Sequence, residues 1–306
     1  MSHQYTKMII DGNNFLFRSF FTKRPQKFIN NVNVTPIQQF MYMLKTSVNK
    51  FRPTEIYLTW DKKVNSTKPN FRKELVAYKE QRVMTDTISS MYDTIPYIQE
   101  FIDTLGIKTV YPVNMEADDV IRFLAINDSK STIIVSSDND LLQLITDEVH
   151  LHSPVKDVVI TPENFAEVVK VEQKYFILYK AILGDTSDNI KGLLGHGPVK
   201  SKALAEKIAL LSSNEQLKEL LTTEQIEVIK RNLDVMDLSK TEKFMPDEYG
   251  AYSEQLQKQN PVFNTENLKI LFEDMDMSQY TRGFGEWNKL FNPDFDNSDL
   301  LSQISM

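Results

Sequence analysis

The sequence predicts an α/β fold: a parallel, doubly wound sheet flanked by helices and followed by a mainly helical region. Three observations carry this. Short apolar runs alternate with segments of helical period, the pattern that crossover connections between parallel strands require. Most of these runs end in acids. From about residue 172 the pattern becomes mainly helical, as in "KYFILYKAILG", "VKSKALAEKIALL" and "TEQIEVIKRNL", which places a domain boundary near residue 180.

"KMIID" (7–11) reads as a buried strand. The aromatics of "FLFRSFF" (15–21) read mostly as core, with Arg18 set apart. "TPIQQFMYMLKTSVNKF" reads as a helix with Thr35 as N-cap and Pro36 at its first position, burying Ile37, Phe40, Met41, Leu44 and Val48. "EIYLTWD" (55–61) is a second strand closed by an aspartate. Residues 62–92 are polar and basic, with one helical candidate in "FRKELVAYKEQR"; a segment this long between core elements suggests function. "IPYIQEFIDTLG" is a helix stopped by Gly106, "IKTVYP" a strand, "EADDVIRFLAIN" a helix, "STIIVSSD" a strand and "NDLLQLI" a helix. "VHLHSP" and "DVVITP" form a peripheral strand pair. No internal repeat or low-complexity tract is present, and the acidic tail "FNPDFDNSDLLSQISM" reads as loosely held.

The chain has 306 residues, 41% of them apolar and 10% aromatic, enough for a sizeable core. Without cysteine there is no disulfide or thiolate zinc site, which points to a reducing compartment. No apolar run reaches the ~20 residues needed to cross a bilayer and no signal-peptide pattern opens the chain, so the expectation is a soluble, cytoplasmic protein without a membrane partner. The net charge of −7 argues against a nucleic-acid partner, unless the acids cluster around cations. Local charge favours clustering: residues 62–82 carry seven basic side chains against two acidic, and 191–207 carry four against one.

In open parallel sheets, ligands bind beyond the carboxyl ends of the strands. Asp11, Asp61 and Asp138 follow "MII", "YLTW" and "IIVSS" at such ends. Glu116, Asp118 and Asp119 lie just past the third strand, Asp140 is two residues beyond Asp138, and Asp185 and Asp188 sit three apart in "GDTSDN". Any single one reads first as a turn or cap residue; their recurrence at three strand ends, with "EADD", makes a shared ligand set the better reading. With neither histidine nor cysteine among them, the ions are hard and oxygen-seeking, Mg²⁺ or Mn²⁺. Two such ions roughly 4 Å apart suit phosphodiester cleavage.

Phe71, Arg72, Tyr78, Lys79 and Arg82 lie in the basic insertion. A helix there would place Tyr78, Lys79 and Arg82 on one face, able to stack a base and hold phosphates, or simply to face solvent. Gly192, Gly195 and Gly197 precede a helix carrying Lys200 and Lys202, a loop that can cradle phosphates or serve as a plain helix–turn–helix. His150 and His152 alternate on a strand and read as edge surface rather than ligands, and His196 as a turn residue. Ser136 and Ser137 have no neighbouring base that would mark a nucleophile.

"MIIDGNNFLFRSF", "YLTWD", "FRKELVAYKEQR", "MEADDVI", "IVSSDNDLLQL" and "AILGDTSDNIKGLLGHG", in this order, resemble the 5′-nuclease (flap endonuclease) family, bacteriophage type, including the phage enzymes called ribonuclease H. The resemblance spans roughly residues 7–205. It implies a PIN-like α/β nuclease domain over 1–180 with a helical arch at about 62–92. It also implies a helical DNA-binding domain over 181–306, with a helix–three-turn–helix at about 181–210. The implied activity is a Mg²⁺-dependent 5′-3′ exonuclease, flap endonuclease and RNase H that removes RNA primers and 5′ flaps in replication. Asp11, Asp61, Glu116, Asp118 and Asp138 would hold one ion, and Asp119, Asp140, Asp185 and Asp188 would hold or orient the second, partly through water. Lys79, Arg82 and Arg18 would act at the scissile phosphate. Arg72, Tyr78, the three glycines, Lys200 and Lys202 would contact nucleic acid, with K⁺ at the helix–three-turn–helix.

The implied partners are branched, nicked or RNA-primed duplexes, a single-strand-binding protein, a sliding clamp and a separate polymerase, for a monomeric enzyme. One departure stands out: the family pattern "GxGxK[TR]A" reads "GHGPVKSKA" here, which leaves open whether Lys200 or Lys202 touches phosphate. Two alternatives remain, a catalytically silent branch-binding protein of the same fold and a compact PIN-type RNA endonuclease.

Overall fold

Lys7–Asp11 forms strand β1, buried at every position as its apolar run predicts. The computed structural model describes residues 5–61, 69–244 and 246–292. After β1 come α1 (Gly12–Phe20), a short hairpin of β2 (Phe28–Ile29) and β3 (Val32–Asn33), α2 (Val34–Phe51) and β4 (Glu55–Thr59). The insertion contributes α3 (Arg72–Leu75) and α4 (Asp86–Tyr92). The chain then runs through α5 (Ile95–Thr104), β5 (Lys108–Val110), α6 (Ala117–Ile126), β6 (Thr132–Val135), a 3₁₀ turn over Asp140–Leu144, β7 (Val149–Ser153), β8 (Val158–Ile160) and α7 (Phe165–Val169).

The main sheet has the order β5-β4-β1-β6-β7-β8; every pairing is parallel except β8 against β7. The chain winds outward from β1 through β4 to β5, then returns to β6 on the other flank of β1. That reversal opens a crevice at the carboxyl ends of β1 and β6, where such sheets bind ligands. Gly12 is needed there: a Cβ would lie 2.5 Å from Thr59 O and 2.7 Å from the Trp60 ring.

The remainder is helical: α8 (Phe176–Leu183), a ribbon of β9 (Gly184–Asp185) and β10 (Ile190–Lys191), then α9 (Pro198–Ala209), α10 (Asn214–Leu220), α11 (Thr223–Met236), α12 (Thr241–Phe244), α13 (Pro246–Lys258), α14 (Thr265–Asp274), α15 (Ser278–Arg282) and α16 (Phe284–Phe291). The expected boundary near 180 falls inside α8. Leu268, Phe272 and Trp287 are fully buried in the same core as Phe40 of α2 and Phe101 of α5, so the last helices rejoin the sheet. On the free edge of β5, Gln259 accepts from Thr109 N at 2.9 Å and donates to Thr109 O at 2.6 Å. Gln255 does the same with Tyr111, at 2.9 Å both ways. Among the described residues no helix is long and apolar enough to cross a membrane.

Several expectations are corrected. Asn33, not Thr35, caps α2: its Oδ1 accepts from Thr35 N, while the Thr35 hydroxyl donates to Pro25 O. The helix expected over "FRKELVAYKEQR" stops at Leu75 because Val76 is extended, and Lys79 takes a left-handed conformation with φ 56°. "DLLQL" winds as a 3₁₀ turn. His150 and His152 are buried, because β7 lies between β6 and β8; His150 Nδ1 is 2.8 Å from Tyr5 Oη, and His152 Nε2 is 3.1 Å from Asp157.

Candidate active site

The carboxyl ends of β1, β4 and β6 hold Asp11, Asp61 and Asp138 in defined settings. Asp11 caps α1, accepting from Asn14 N at 3.0 Å and from the Ser136 hydroxyl at 2.7 Å. Burial pushes its carboxyl up to about 7, helped by the charges of Asp138 and Asp61. Asp61 accepts from Ala117 N at 2.8 Å and from Asn13 Nδ2 at 3.1 Å, and its own N–H donates to Asn13 Oδ1 at 3.0 Å. The atoms crowded around its carboxyl, and then the charge of Glu116, push it up. Asp138 accepts from Asp140 N at 2.8 Å.

Glu116 caps α6, which sets Asp118 and Asp119 in its first turn. Asp118 has no hydrogen bond or ion pair among the described residues. Burial drives its carboxyl well above the usual range, and the charges of Asp138, Asp11, Asp61 and Glu116 add to this. Asp119 points elsewhere: Arg72 donates to both its oxygens at 2.8 Å, Thr241 Oγ1 donates at 2.8 Å, and Oδ2 accepts from Glu116 N at 3.1 Å. Burial alone would raise this carboxyl, but Arg72 holds it below its ordinary range. Asp119 therefore has no oxygen to spare for an ion. Arg72, 3% exposed and also bonded to Val235 O, is no nucleic-acid contact.

Tyr78, Lys79 and Arg82, on the turn between α3 and α4, face the acids without helical geometry. The Tyr78 hydroxyl donates to Glu116 at 2.6 Å and lies 3.1 Å from Asp188; with its ring 5% exposed, it cannot stack a base. Lys79 Nζ donates to Glu116 at 2.8 Å and Arg82 to Asp188 at 2.7 Å. A backbone bond and a side-chain bond pin the turn: Lys79 N donates to Asp188 O, and Asn189 Nδ2 donates to Ala77 O. Lys180, in α8, donates to Asp140 and Asp185, each at 2.9 Å. Burial would raise Asp185, but the Ser187 hydroxyl and Lys180 hold it below its usual range, whereas Asp140 and Asp188 stay raised by burial. Glu116, Asp118, Asp140 and Asp188 line a narrow cavity of about 20 Å³ together with Arg72 and Tyr78.

Arg18 donates to Ser137 Oγ and Pro154 O, each at 3.3 Å, beside Asp138. In the glycine loop, a Cβ on Gly192 would meet Leu183 O at 2.1 Å, so this glycine permits close packing of the ribbon rather than an open cradle. Gly195 takes φ 76° and Gly197 precedes α9. Lys202 is tied to Lys170 O at 2.8 Å, while Lys200 is exposed with no partner among the described residues.

Among the described residues no three acids or histidines already enclose an ion position. The donor set still fits hard divalent cations. It consists of carboxylate oxygens, and Asp11, Asp61, Asp118 and Asp138 face one another with no ion pair among the described residues, an arrangement a cation would relieve. The sequence reading missed Asn13, Thr241 and Lys180, and weighed Ser136 only as a nucleophile, not as a donor to Asp11. Asn13 stands two residues after Asp11, and Lys180 stands five residues before Asp185, offsets with no conspicuous signature.

Residues 6–175 match the family model described as 5'-3' exonuclease, N-terminal resolvase-like domain. A 5'-3' exonuclease of Buchnera aphidicola subsp. Schizaphis graminum is 34% identical over 201 residues, 62% of this chain and 67% of that one. DNA polymerase I of Lactococcus lactis subsp. lactis is 30% identical over 247 residues, 76% of this chain but 27% of the polymerase. The chain thus spans two thirds of the exonuclease relative and about a quarter of the polymerase. Among solved structures, the T5 D15 protein co-crystallized with metal ions superposes with a TM-score of 0.62 at 21% identity, covering 82% of this chain and 98% of that one. The catalytic core of Rad2 in complex with DNA substrate gives 0.54 at 18%, covering 94% and 92%. At these identities the two structures attest the fold.

Proposed function

The chain belongs to the 5'-3' exonuclease family, and from that premise we propose that it is a divalent-cation-dependent, structure-specific 5′ nuclease. Its proposed reactions are 5′-3′ exonuclease, flap endonuclease and RNase H cleavage, removing RNA primers and 5′ flaps in replication. The observation that carries this reading is the group Asp11, Asp61, Asp118 and Asp138 at the carboxyl ends of the sheet, with no ion pair among the described residues. The relatives that are whole DNA polymerases support pairing with a separate polymerase. Assignments to a single-strand-binding protein, a clamp, K⁺ at the glycine loop and a cytoplasmic location are part of the proposal.

In this reading Asp11, Asp61, Glu116, Asp118 and Asp138 hold one ion, and Asp140, Asp185 and Asp188 hold or orient a second; Asp119 is excluded by Arg72. Bound Mg²⁺ or Mn²⁺ would supply an activated water and charge stabilisation at the scissile phosphate. Asn13 and Ser136 orient Asp61 and Asp11. Lys79 and Arg82, at 2.8 Å and 2.7 Å from carboxylates, are placed to turn from those acids to a phosphate. Arg18 stands on the opposite flank, beside Asp138. Duplex phosphates would meet the loop at Gly195 and Gly197 and the exposed Lys200.

Hydrolysis of a 5′-labelled flap with Mg²⁺ tests the proposal. Asp138→Asn is expected to reduce cleavage on the order of a thousand-fold while flap binding persists. Binding without cleavage in the unaltered protein would instead favour the silent branch-binding reading, and a preference for RNA lacking any duplex the PIN-type one. A panel of nicked, gapped, flapped and RNA-primed substrates ranks the activities.

A further inference from the structure

Lys180 bridges two of the acids assigned to the second ion. Its ammonium lies 2.9 Å from Asp140 Oδ1 and 2.9 Å from Asp185 Oδ2, with the side chain 14% exposed. The three groups come from different elements: Asp140 from the 3₁₀ turn after β6, Asp185 from the ribbon, and Lys180 from α8, whose neighbouring Ala181 and Ile182 are fully buried. Asp185 Oδ1 is taken by the Ser187 N–H and hydroxyl at 2.8 Å and 2.6 Å, so the oxygen facing Lys180 is the one left for a cation. No lysine or arginine among the described residues pairs with Asp11, Asp61, Asp118 or Asp138.

We propose that Lys180 is a resident counter-ion that sets the affinity of the second divalent cation. The inference rests on the two-ion reading above and deepens it. In the ion-free protein the ammonium bridges Asp140 and Asp185 and keeps the ribbon against the sheet. A dication entering between these carboxylates must displace or repel that ammonium, so its binding is weakened by the exchange. The first cation meets a paired ammonium only at Glu116, where Lys79 sits 2.8 Å away, and none among the described residues at Asp11, Asp61, Asp118 or Asp138. The enzyme therefore loads in order, and Lys180 is a positioning residue that raises the concentration at which the second ion enters.

The experiment is a Mn²⁺ titration of the full chain by calorimetry, with bound ions counted by electron paramagnetic resonance, for the unaltered protein, Lys180→Met, Lys180→Gln and Lys180→Arg. Thermal melting in EDTA accompanies it. Lys180→Met and Lys180→Gln are expected to tighten the second site on the order of ten-fold, to leave the first unchanged, and to melt earlier in EDTA. Lys180→Arg keeps the charge and is expected to titrate like the unaltered protein. A neutral variant that folds only when Mn²⁺ is added is the strongest form of the supporting result. An unchanged second affinity in both neutral variants, or an equal change in Lys180→Arg, overturns the role of Lys180 and leaves the two-ion reading intact. If the unaltered protein binds fewer than two ions, the two-ion reading itself falls and takes this inference with it.

Discussion

The two halves of the acid pocket solve the same electrostatic problem in opposite ways. Asp11, Asp61, Asp118 and Asp138 face one another with hydrogen bonds but no paired cation among the described residues, and burial raises Asp11 and Asp118. Across the pocket, Lys79, Arg82 and Lys180 answer Glu116, Asp188, Asp140 and Asp185 at 2.7–2.9 Å. The difference shows that the protein tolerates repulsion around the ends of β1, β4 and β6 and supplies cations from the insertion and α8 to the acids across the pocket. One half waits for an ion. The other must give something up to receive one.

Arg72→Ala tests this division most severely. Asp119 is the one acid of the motif that has been removed from the pocket, and stripping its buried partner is expected to cost about 3–5 kcal/mol of unfolding free energy, read by urea denaturation. A loss below about 1 kcal/mol would place Asp119 back among the ion-binding acids. Next in size, Lys79→Ala is expected to slow single-turnover flap cleavage about a hundred-fold while substrate affinity changes little. Collapse of affinity with the rate intact would assign Lys79 to binding.

The pH dependence sharpens the contrast further. The folded-state value of Asp11, about 7, lies above its ordinary one. Its contribution to stability is therefore present below about pH 4 and is lost as pH rises through about 7. In EDTA the protein is expected to lose on the order of 2 kcal/mol between pH 5 and pH 8, a slope that saturating Mg²⁺ flattens. Asp119 and Asp185, held low, lose their contribution only as pH falls below the ordinary carboxylate range, and add no slope in that window. Equal slopes with and without Mg²⁺ would contradict the unpaired character of the first half. The smallest effect is expected at the glycine loop. Lys200→Ala should lower the salt dependence of duplex binding by about one unit, and Lys202→Ala, already tied to Lys170 O, should leave it unchanged.

Much of this was legible in the sequence, because strand-end acids and apolar alternation are local signals. Asp11, Asp61, Glu116, Asp118 and Asp138 fell where the strand pattern placed them. Non-local partners were not legible. Periodicity placed Tyr78, Lys79 and Arg82 on one helix face. They do converge, but on a turn held by Asp188 O and Asn189, residues more than a hundred positions away. Arg72 looked like surface charge because nothing near it in sequence announces Asp119. The histidines looked peripheral because a strand pair at the end of a pattern does not reveal which member is covered, and Lys180 was one basic residue in an apolar helix.

The two glutamines on α13 carry a consequence of their own. Gln255 and Gln259 stand one helical turn apart and engage the backbone of Thr109 and Tyr111 as a neighbouring strand would. An uncovered sheet margin invites pairing with any extended chain nearby. The helical third of the molecule thus serves the first as a hem. Trimming the chain back to the segment shared with the exonuclease family would leave that margin and the apolar flank of α2 and α5 bare, yielding self-adhering sheets in place of a smaller enzyme.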